Sequence, residues 1–561
     1  MMNLKKMLWM AAVAAMSFAA CTPPDNGETP GGGDEDVPVV DIVDQVSQYE
    51  ARAFDGEKRA DVFYEIYVRS FADSDGDGIG DFNGVTAKLD YLNDLGVAGI
   101  WLMPIYSCTS EHGYDVVDYE LVNPDYGTMA DMERLIAEAH KRDIRVILDF
   151  VPNHSSWKAP WFISACSSVD NEYRNFYHFS ENNPGGAWHQ VPTGTTSYWY
   201  HGDFDKSMPD LNYGPAGTCE NNATFKAMVG AAKFWVDKGV DGFRLDAVKH
   251  IYSNQVSNEN PTFLKKFYDS VNAYFQGKSV LGFKDVYMVG ECWLGTDDMA
   301  KYYTGLPSLF DFTAWENRLL YAIQNSHAKW FPKDMIAERN VFANYRKDFI
   351  QATKLSNHDE VRARTALGGG SLSMSLERSK MAAAVLLTSC GSPFIYYGEE
   401  IGMMGDKTKP GGDRNVREPM MWAPKAKDTF RPTWITSNVN TDIGIGNVEE
   451  QSKKVTSIYN VYRKFLRLRN TYPALAYGEI RLPEGFDDSS SENKQVMVFH
   501  RVYGGEHLLV VHNVSATKST YTYKGAIKQP IADMNKVTIE SNGANEHVIS
   551  LPAYSSIIIE L

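Results

Sequence analysis

The sequence predicts an α/β fold, a closed (β/α)8 TIM barrel with a small β domain after it, and three observations carry that prediction. From about residue 60, short apolar runs alternate with stretches of helical periodicity about eight times over, without any internal sequence repeat. Four of those runs end in carboxylates or His, as expected where parallel strands finish at one rim. After about residue 475 the helical period gives way to two-residue alternation broken by turn residues.

The elements follow in order. Lys5 and Lys6 precede an apolar stretch, Met7 to Ala20, too short for a membrane span and right for a signal peptide, so residues 1–20 are assigned to one. Phe18-Ala19-Ala20-Cys21 resembles a bacterial lipobox, which would place a lipid on Cys21; Phe stands where Leu is usual, so plain secretion stays open. Residues 21–50 are rich in Pro, Gly and acidic groups, cannot build a core, and read as a solvated tether. The barrel is assigned to 51–474, with strands expected at Phe63–Val68, Gly99–Met103, Arg145–Val151, Val240–Leu245, Val286–Val289, Leu309–Phe312, Ala352–Leu355 and Pro393–Tyr397. Met129–Arg142 reads as a helix with Met132, Leu135, Ile136 and Ala139 on one face. Met228, Val229, Ala232, Trp235 and Val236 mark another that stops at Lys238-Gly239. Residues 155–212 hold many aromatics, Gly and Pro and no clear helix; an excursion that long is a functional loop or a subdomain. In the final part, 475–561, Val496–Val502, a Gly504-Gly505 turn and His507–Val511 read as a hairpin, and Tyr554–Leu561 as a last strand.

Composition bounds the function. With 561 residues, 43% hydrophobic and 12% aromatic, the chain can bury a large core. A net charge of -16 argues against nucleic acid or an anionic membrane surface as partner and leans toward neutral sugars. No other stretch is long and apolar enough to span a bilayer, so an exported protein is expected, lipid-anchored in a bacterial membrane or else secreted. Apart from Cys21, the cysteines are 108, 166, 219, 292 and 390, an odd, scattered set that is no disulfide framework; a Cys166–Cys219 pair is possible but not demanded. Nothing resembles a zinc site.

The chemistry sits at the strand ends. Gly242 to His250, G-F-R-L-D-A-V-K-H, presents Arg244 and Asp246 on one face. Alone, that pair would be a structural salt bridge. It is joined by Asp149 with Asn153 and His154 (D-F-V-P-N-H), by Glu291 in G-E-C-W and by Asp359 in N-H-D. Such a carboxyl cluster cannot ionise fully without shifting a pKa, and one carboxylate held charged beside another held protonated suits glycoside hydrolysis.

These motifs, with M-P-D-L-N at 208–212, occur in the order found in the α-amylase family of glycoside hydrolases, which the chain resembles from about 60 to 561. The resemblance implies a domain B inserted at 155–212 and a C-terminal antiparallel β-sandwich. It implies Asp246 as nucleophile, Glu291 as general acid and base, and Asp359 as the group that binds sugar hydroxyls and favours the transition state. Arg244 would keep Asp246 ionised and oriented, His154 and His358 would bond sugar hydroxyls, and Tyr114 would be a stacking platform or a packed core residue. Lys249 and His250 would bind sugar beyond the cut. The loop Asp73-Ser74-Asp75-Gly76-Asp77-Gly78-Ile79-Gly80-Asp81 sets hard oxygen donors at alternate positions, as calcium requires, though Glu is missing at position twelve of an EF-hand. In the family such a loop binds calcium through Asp73, Asp75, Asp77, Ile79 and Asp81; the alternative is a polar turn without an ion. A second calcium at Asn153, Asp210 and the carbonyl of His250 is implied. M-P-D-L-N resembles the group lying between oligo-1,6-glucosidases (Q-P-D-L-N) and neopullulanases (M-P-K-L-N), and Ala247, where α-1,6-specific relatives tend to carry Val, points to α-1,4 linkages in starch, maltodextrins or related glucans, whereas Cys292 leaves the leaving group open. The alternatives are an α-glucosidase, a cyclomaltodextrinase or neopullulanase, and, outside enzymes, a starch-binding surface protein or a non-catalytic transporter subunit.

Overall fold

The computed structural model describes residues 62–191, 198–313, 315–368, 372–437, 439–441, 444–487 and 493–561. The expected signal peptide, the tether and Cys21 lie outside the described residues. Eight strands close a parallel barrel: β1 (Phe63–Ile66), β2 (Gly99–Leu102), β3 (Arg145–Phe150), β4 (Gly242–Leu245), β5 (Tyr287–Gly290), β6 (Ser308–Phe310), β7 (Ile350–Lys354) and β8 (Ser392–Tyr396). Each pairs with its neighbour in sequence, and β8 closes onto β1. All eight expected strands are present. The first stops early, because Val68–Phe71 turns helical.

Alternation decides what faces the barrel axis. Positions two apart share a face. Phe63, Trp101, Ile147, Tyr287, Val289, Phe310, Ala352 and Phe394 pack into one apolar plug. Two residues further along their strands, the same inward face carries Glu65, Asp149, Glu291 and Lys354; on β4 it carries Arg244 and then Asp246. The barrel is therefore filled by hydrophobic layers capped by one charged layer at the C-terminal end. Gly242 is needed at the β4–β5 contact, where a Cβ would lie 2.1 Å from the Tyr287 carbonyl oxygen.

The helices form as their apolar spacing requires. In α1 (Met129–His140), Met132, Leu135, Ile136 and Ala139 are buried, and Thr128 and Asp131 form a reciprocal cap. Within 155–212, Pro160–Ser167 forms α2, which the sequence did not announce: eight residues are too few to display a period, and Pro160 serves as a first-turn starter. A three-stranded antiparallel sheet, Phe179–Ser180, Trp199–His201 and Trp188–Gln190, completes that excursion. It is tied to the barrel by bridges His154–Asp210 and Tyr177–Leu211. α3 (Ala223–Asp237) buries Met228, Val229, Ala232, Trp235 and Val236 and ends where Gly239 turns left-handed, φ 96°.

At the C-terminus β9 (Glu479–Arg481), β10 (Val496–Tyr503), β11 (Glu506–Asn513), β12 (Ser519–Lys524), β13 (Gln529–Met534), β14 (Thr538–Ser541), β15 (Glu546–Leu551) and β16 (Ser555–Glu560) form two antiparallel sheets, β9-β10-β11-β16-β13 and β12-β15-β14. Val496, Val498, Leu509, Val511, Ile557 and Ile559 meet Ile549 and Leu551 of the smaller sheet, so this is a sandwich. The alternate residues Met497, Phe499, Leu508, Val510 and Ile558 join the main core instead. Cys108, Cys166, Cys219, Cys292 and Cys390 are free thiols, so Cys166 and Cys219 do not pair. Among the described residues, no helix is long and apolar enough to cross a membrane.

Candidate active site

Strand register assembles the centre. Asp149 lies directly across from Arg244 in the β3–β4 pair, and Val289 lies across from Arg244 on the other side. The ladder runs one residue past both strand ends, with Asp246 N–H on the Phe150 carbonyl and Glu291 N–H on the Leu245 carbonyl. Arg244, wholly buried, donates from Nη1 to Asp149 at 2.8 and 3.1 Å and to Asp246 Oδ1 at 2.7 Å. Its Nη2 reaches Glu291 Oε2 at 2.9 Å. One guanidinium thus faces three carboxyls. Burial pushes Asp246 well above the usual carboxylate range; Glu291 and Asp149 push the same way and Arg244 opposes them. Burial likewise raises Asp149. This differs from the expectation that Arg244 keeps Asp246 ionised: a single cation does not offset desolvation plus two like charges.

Glu291 also accepts the Ala247 N–H at 3.0 Å. Ala247 has φ 50°, a left-handed backbone uncommon outside Gly and the kind of local strain that gathers at functional sites.

Asp359 sits apart on the β7 loop. Burial acts to raise it, but His358, Arg417 and Arg244 prevail and hold it far below its ordinary range. Arg417 Nη2 lies 2.8 Å from Asp359 Oδ1 and His358 Nε2 lies 2.9 Å from Oδ2. His358 itself is fully buried, with Nδ1 on Glu65 and Nε2 also 2.6 Å from the Tyr114 hydroxyl. Burial disfavours its charge, yet Asp359 and Glu65 push it up to about 10. Expected as a partner for sugar, it stands here as a buried cation beneath Asp359, both ring nitrogens engaged. Tyr114 stacks on it, centroids 5.6 Å apart, and also donates to Asp149 at 3.0 Å.

A cleft of about 450 Å³ opens over this centre, lined among others by Tyr114, His154, Phe204, Asp246, Glu291, Trp293, Asp359 and Arg417. Burial lowers His154 to about 4, so it is neutral, and its buried Nε2 has no hydrogen-bond partner among the described residues. Lys249 and His250 line the same cleft. Lys249 donates to the Trp293 carbonyl at 3.0 Å, and His250 Nδ1 lies 2.9 Å from Asp203. Arg417, Phe204, His112 and Asp413 were not singled out as site residues from sequence. Only folding, which brings Arg417 58 residues back to Asp359, gives it a role.

The two expected metal sites differ. Asp73, Asp75 and Asp81 bring carboxylate oxygens within 4.8 Å of one another. Asp77 is exposed outside that trio, its carboxylate accepting the Ile79 N–H at 2.7 Å. A trio of hard anionic oxygens fits calcium. A Cβ on Gly80 would lie 2.0 Å from the Val68 carbonyl, so the loop presses directly on the barrel. At the second site Asn153 Oδ1 is buried without a partner among the described residues, 3.4 Å separating Asn153 Nδ2 from Asp210. That orphan oxygen fits a cation. However, Asp210 already holds His201 Nδ1 at 2.6 Å, a bond that raises the His201 pKa, so protonated His201 competes there.

A parallel barrel with a carboxyl cluster over an open, aromatic-lined cleft is the build of a glycoside hydrolase. The comparisons agree: the family model "Alpha amylase, catalytic domain" matches residues 65–478, and "Alpha-amylase SusG C-terminal domain" matches 496–558. The chain is 34% identical to Alpha-amylase SusG of Bacteroides thetaiotaomicron over 99% of this chain and 98% of that protein. It is 38% identical to Alpha-amylase 3 of Dictyoglomus thermophilum, covering 89% and 93%. The crystal structure of an alpha-amylase from H.orenii superposes with a TM-score of 0.77 at 34% identity, over 90% of this chain and all of that one. The chain belongs to the α-amylase family of glycoside hydrolases.

Proposed function

We propose that this protein is an endo-acting hydrolase of α-1,4-glucans that retains anomeric configuration, the reading carried by Asp246 and Glu291 bridged on one guanidinium with Asp359 beside them over the cleft. A shared guanidinium favours the short carboxyl separation of double displacement, about 5 Å, over the wider spacing that admits a water. Asp246 attacks the anomeric carbon while Glu291 gives its proton to the departing oxygen. Glu291 then takes a proton from the water that displaces Asp246, restoring the configuration. The attack needs Asp246 ionised, and the 2.7 Å bond from Arg244 is the contact that favours its charge against burial. Asp359, held charged, meets the positive charge that grows on the sugar ring, and neutral His154 lines the cleft beside it.

The linkage reading rests on Ala247; the endo reading rests on Lys249 and Trp293 at the cleft wall. An exo-acting α-glucosidase is the second reading. Glu111 and Arg414 pair through 2.7 and 2.6 Å bonds, joining the β2 loop to the excursion after β8, and a bridge there would end the cleft on that side. A cyclomaltodextrinase or neopullulanase would share the chemistry. A starch-binding protein without activity fits poorly with a complete carboxyl set. Chromogenic maltoheptaose capped at its non-reducing end separates them. An endo enzyme cuts it; no cleavage, with rapid glucose release from maltose, would establish the α-glucosidase. Calcium at the 73–81 loop, and at Asn153 with Asp210 when His201 is neutral, would brace the site's loops. Export with a lipid on Cys21 would place the enzyme outside the inner membrane, where polymeric glucan is met.

A further inference from the structure

Next to the cleft lies a second depression of about 560 Å³, which shares Trp293 and Asp359 with it. Its far side is made by Tyr321, on a short helix, Tyr321–Gln324, that follows a π-helical turn after β6. Two large apolar rings stand unusually open here: Trp293 is 42% exposed and Tyr321 59%. Neither is loose. Trp293 packs on Phe312 with centroids 4.4 Å apart, and its carbonyl holds Lys249. The Tyr321 helix buries Ala322 and Ile323, bonds the Ala366 carbonyl through Gln324, and receives Arg378 on the Gln324 carbonyl at 3.1 Å. Between the rings, Glu360, Lys407 and Gln324 offer charged and amide groups on the wall.

From this we infer that the depression is an extension of the substrate groove on the leaving-group side, with Tyr321 as the platform that selects long α-glucan chains. The inference rests on the glucan reading above and adds the substrate's length and the residue that senses it. Three observations converge. The depression is continuous with the cleft through Trp293, two residues from the proton donor Glu291, so a chain leaving the cut passes over it. An open ring held on Phe312 and another carried on an anchored helix suit the apolar faces of sugar rings. Gln324, Asp359, Glu360 and Lys407 on the same wall suit their hydroxyls, so the lining mixes apolar faces with polar groups as a sugar does. An exposed Tyr that merely filled surface would not need anchoring on both sides of its helix.

The test uses Tyr321→Ala and Tyr321→Trp in the active protein and in the Asp246→Asn background. Tyr321→Ala should raise KM for maltoheptaose and amylose about tenfold, as one lost stacking contact implies. It should leave hydrolysis of a chromogenic maltoside within twofold and shift the cut positions in end-labelled maltoheptaose. Tyr321→Trp should restore the parent pattern. In the inactive background, maltoheptaose measured by titration calorimetry should bind about tenfold more weakly to Asp246→Asn/Tyr321→Ala than to Asp246→Asn. Equal Kd values, no binding to Asp246→Asn at all, or the same loss on short and long substrates would overturn the groove. If the parent cuts no glucan while the Tyr321-dependent Kd difference persists, the groove stands and the hydrolase reading fails.

Discussion

Arg244→Lys tests the centre most directly. Arg244 makes four close contacts from two nitrogens, to Asp149 twice, to Asp246 and to Glu291. A lysine ammonium is one point donor on a flexible stem and cannot span both sides of that fork. At least two charge-assisted bonds are lost, about 1.5–3 kcal/mol each, or about 3–6 kcal/mol, which corresponds to a fall in kcat/KM of about 10²–10⁴ if borne by the transition state. The pH profile gives an independent reading. Asp246 must be ionised to attack; burial, Glu291 and Asp149 raise its pKa, and Arg244 is the opposing pull. A weaker pull raises it further, so the acid limb of kcat/KM should move to higher pH. The assay is capped chromogenic maltoheptaose across pH, on protein shown to be folded by circular dichroism. A variant within tenfold of the parent with an unmoved acid limb would refute the idea that this guanidinium organises the carboxyls.

Asp246→Asn should lose activity by about four orders of magnitude or more, as removal of a nucleophile does elsewhere. It should also melt higher at pH 7: a carboxyl whose folded pKa is raised costs stability as pH climbs past its unfolded value, and the amide has no such cost. A lower melting temperature at pH 7 would contradict that burial. Chelation should lower the melting temperature, since an ion bound at 100 times its Kd contributes about 2.7 kcal/mol to the native state; an unchanged temperature with no calcium by elemental analysis would discard both sites. Cys21→Ala should release the protein from membranes, and absence of palmitate label on the parent would leave simple secretion.

The barrel was legible because a strand's period and its burial write the same pattern: apolar residues to the axis, then a charge two positions later at the rim. Asp149, Arg244, Asp246 and Glu291 could all be found that way, since each lies on or one or two residues beyond its strand. Asp359 needed the N-H-D motif, being five residues past β7. What stayed hidden depends on loops. Arg417 and Phe204 reach the cleft through excursions whose course has no period, and the Glu111–Arg414 pair joins two such excursions across 303 residues. The α2 helix was hidden by brevity. Charge direction was hidden too: sequence shows that Arg244 neighbours Asp246, but not that two further carboxyls share it.

Ala247 shows how the two levels meet. From sequence its meaning was its size, a small residue after the nucleophile where α-1,6-specific relatives tend to carry Val. In the structure its backbone matters at least as much. The backbone turns left-handed there, φ 50°, and the Ala247 N–H meets Glu291 3.0 Å away, while Asp246 stays on the strand ladder. The acid is thus positioned by the residue next to the nucleophile, and the two are coupled through one peptide as well as through Arg244. A β-branched side chain would hold the same turn at greater steric cost. Residue choice at 247 therefore acts on two things at once, the room beside the scissile bond and the ease with which Glu291 receives its backbone partner.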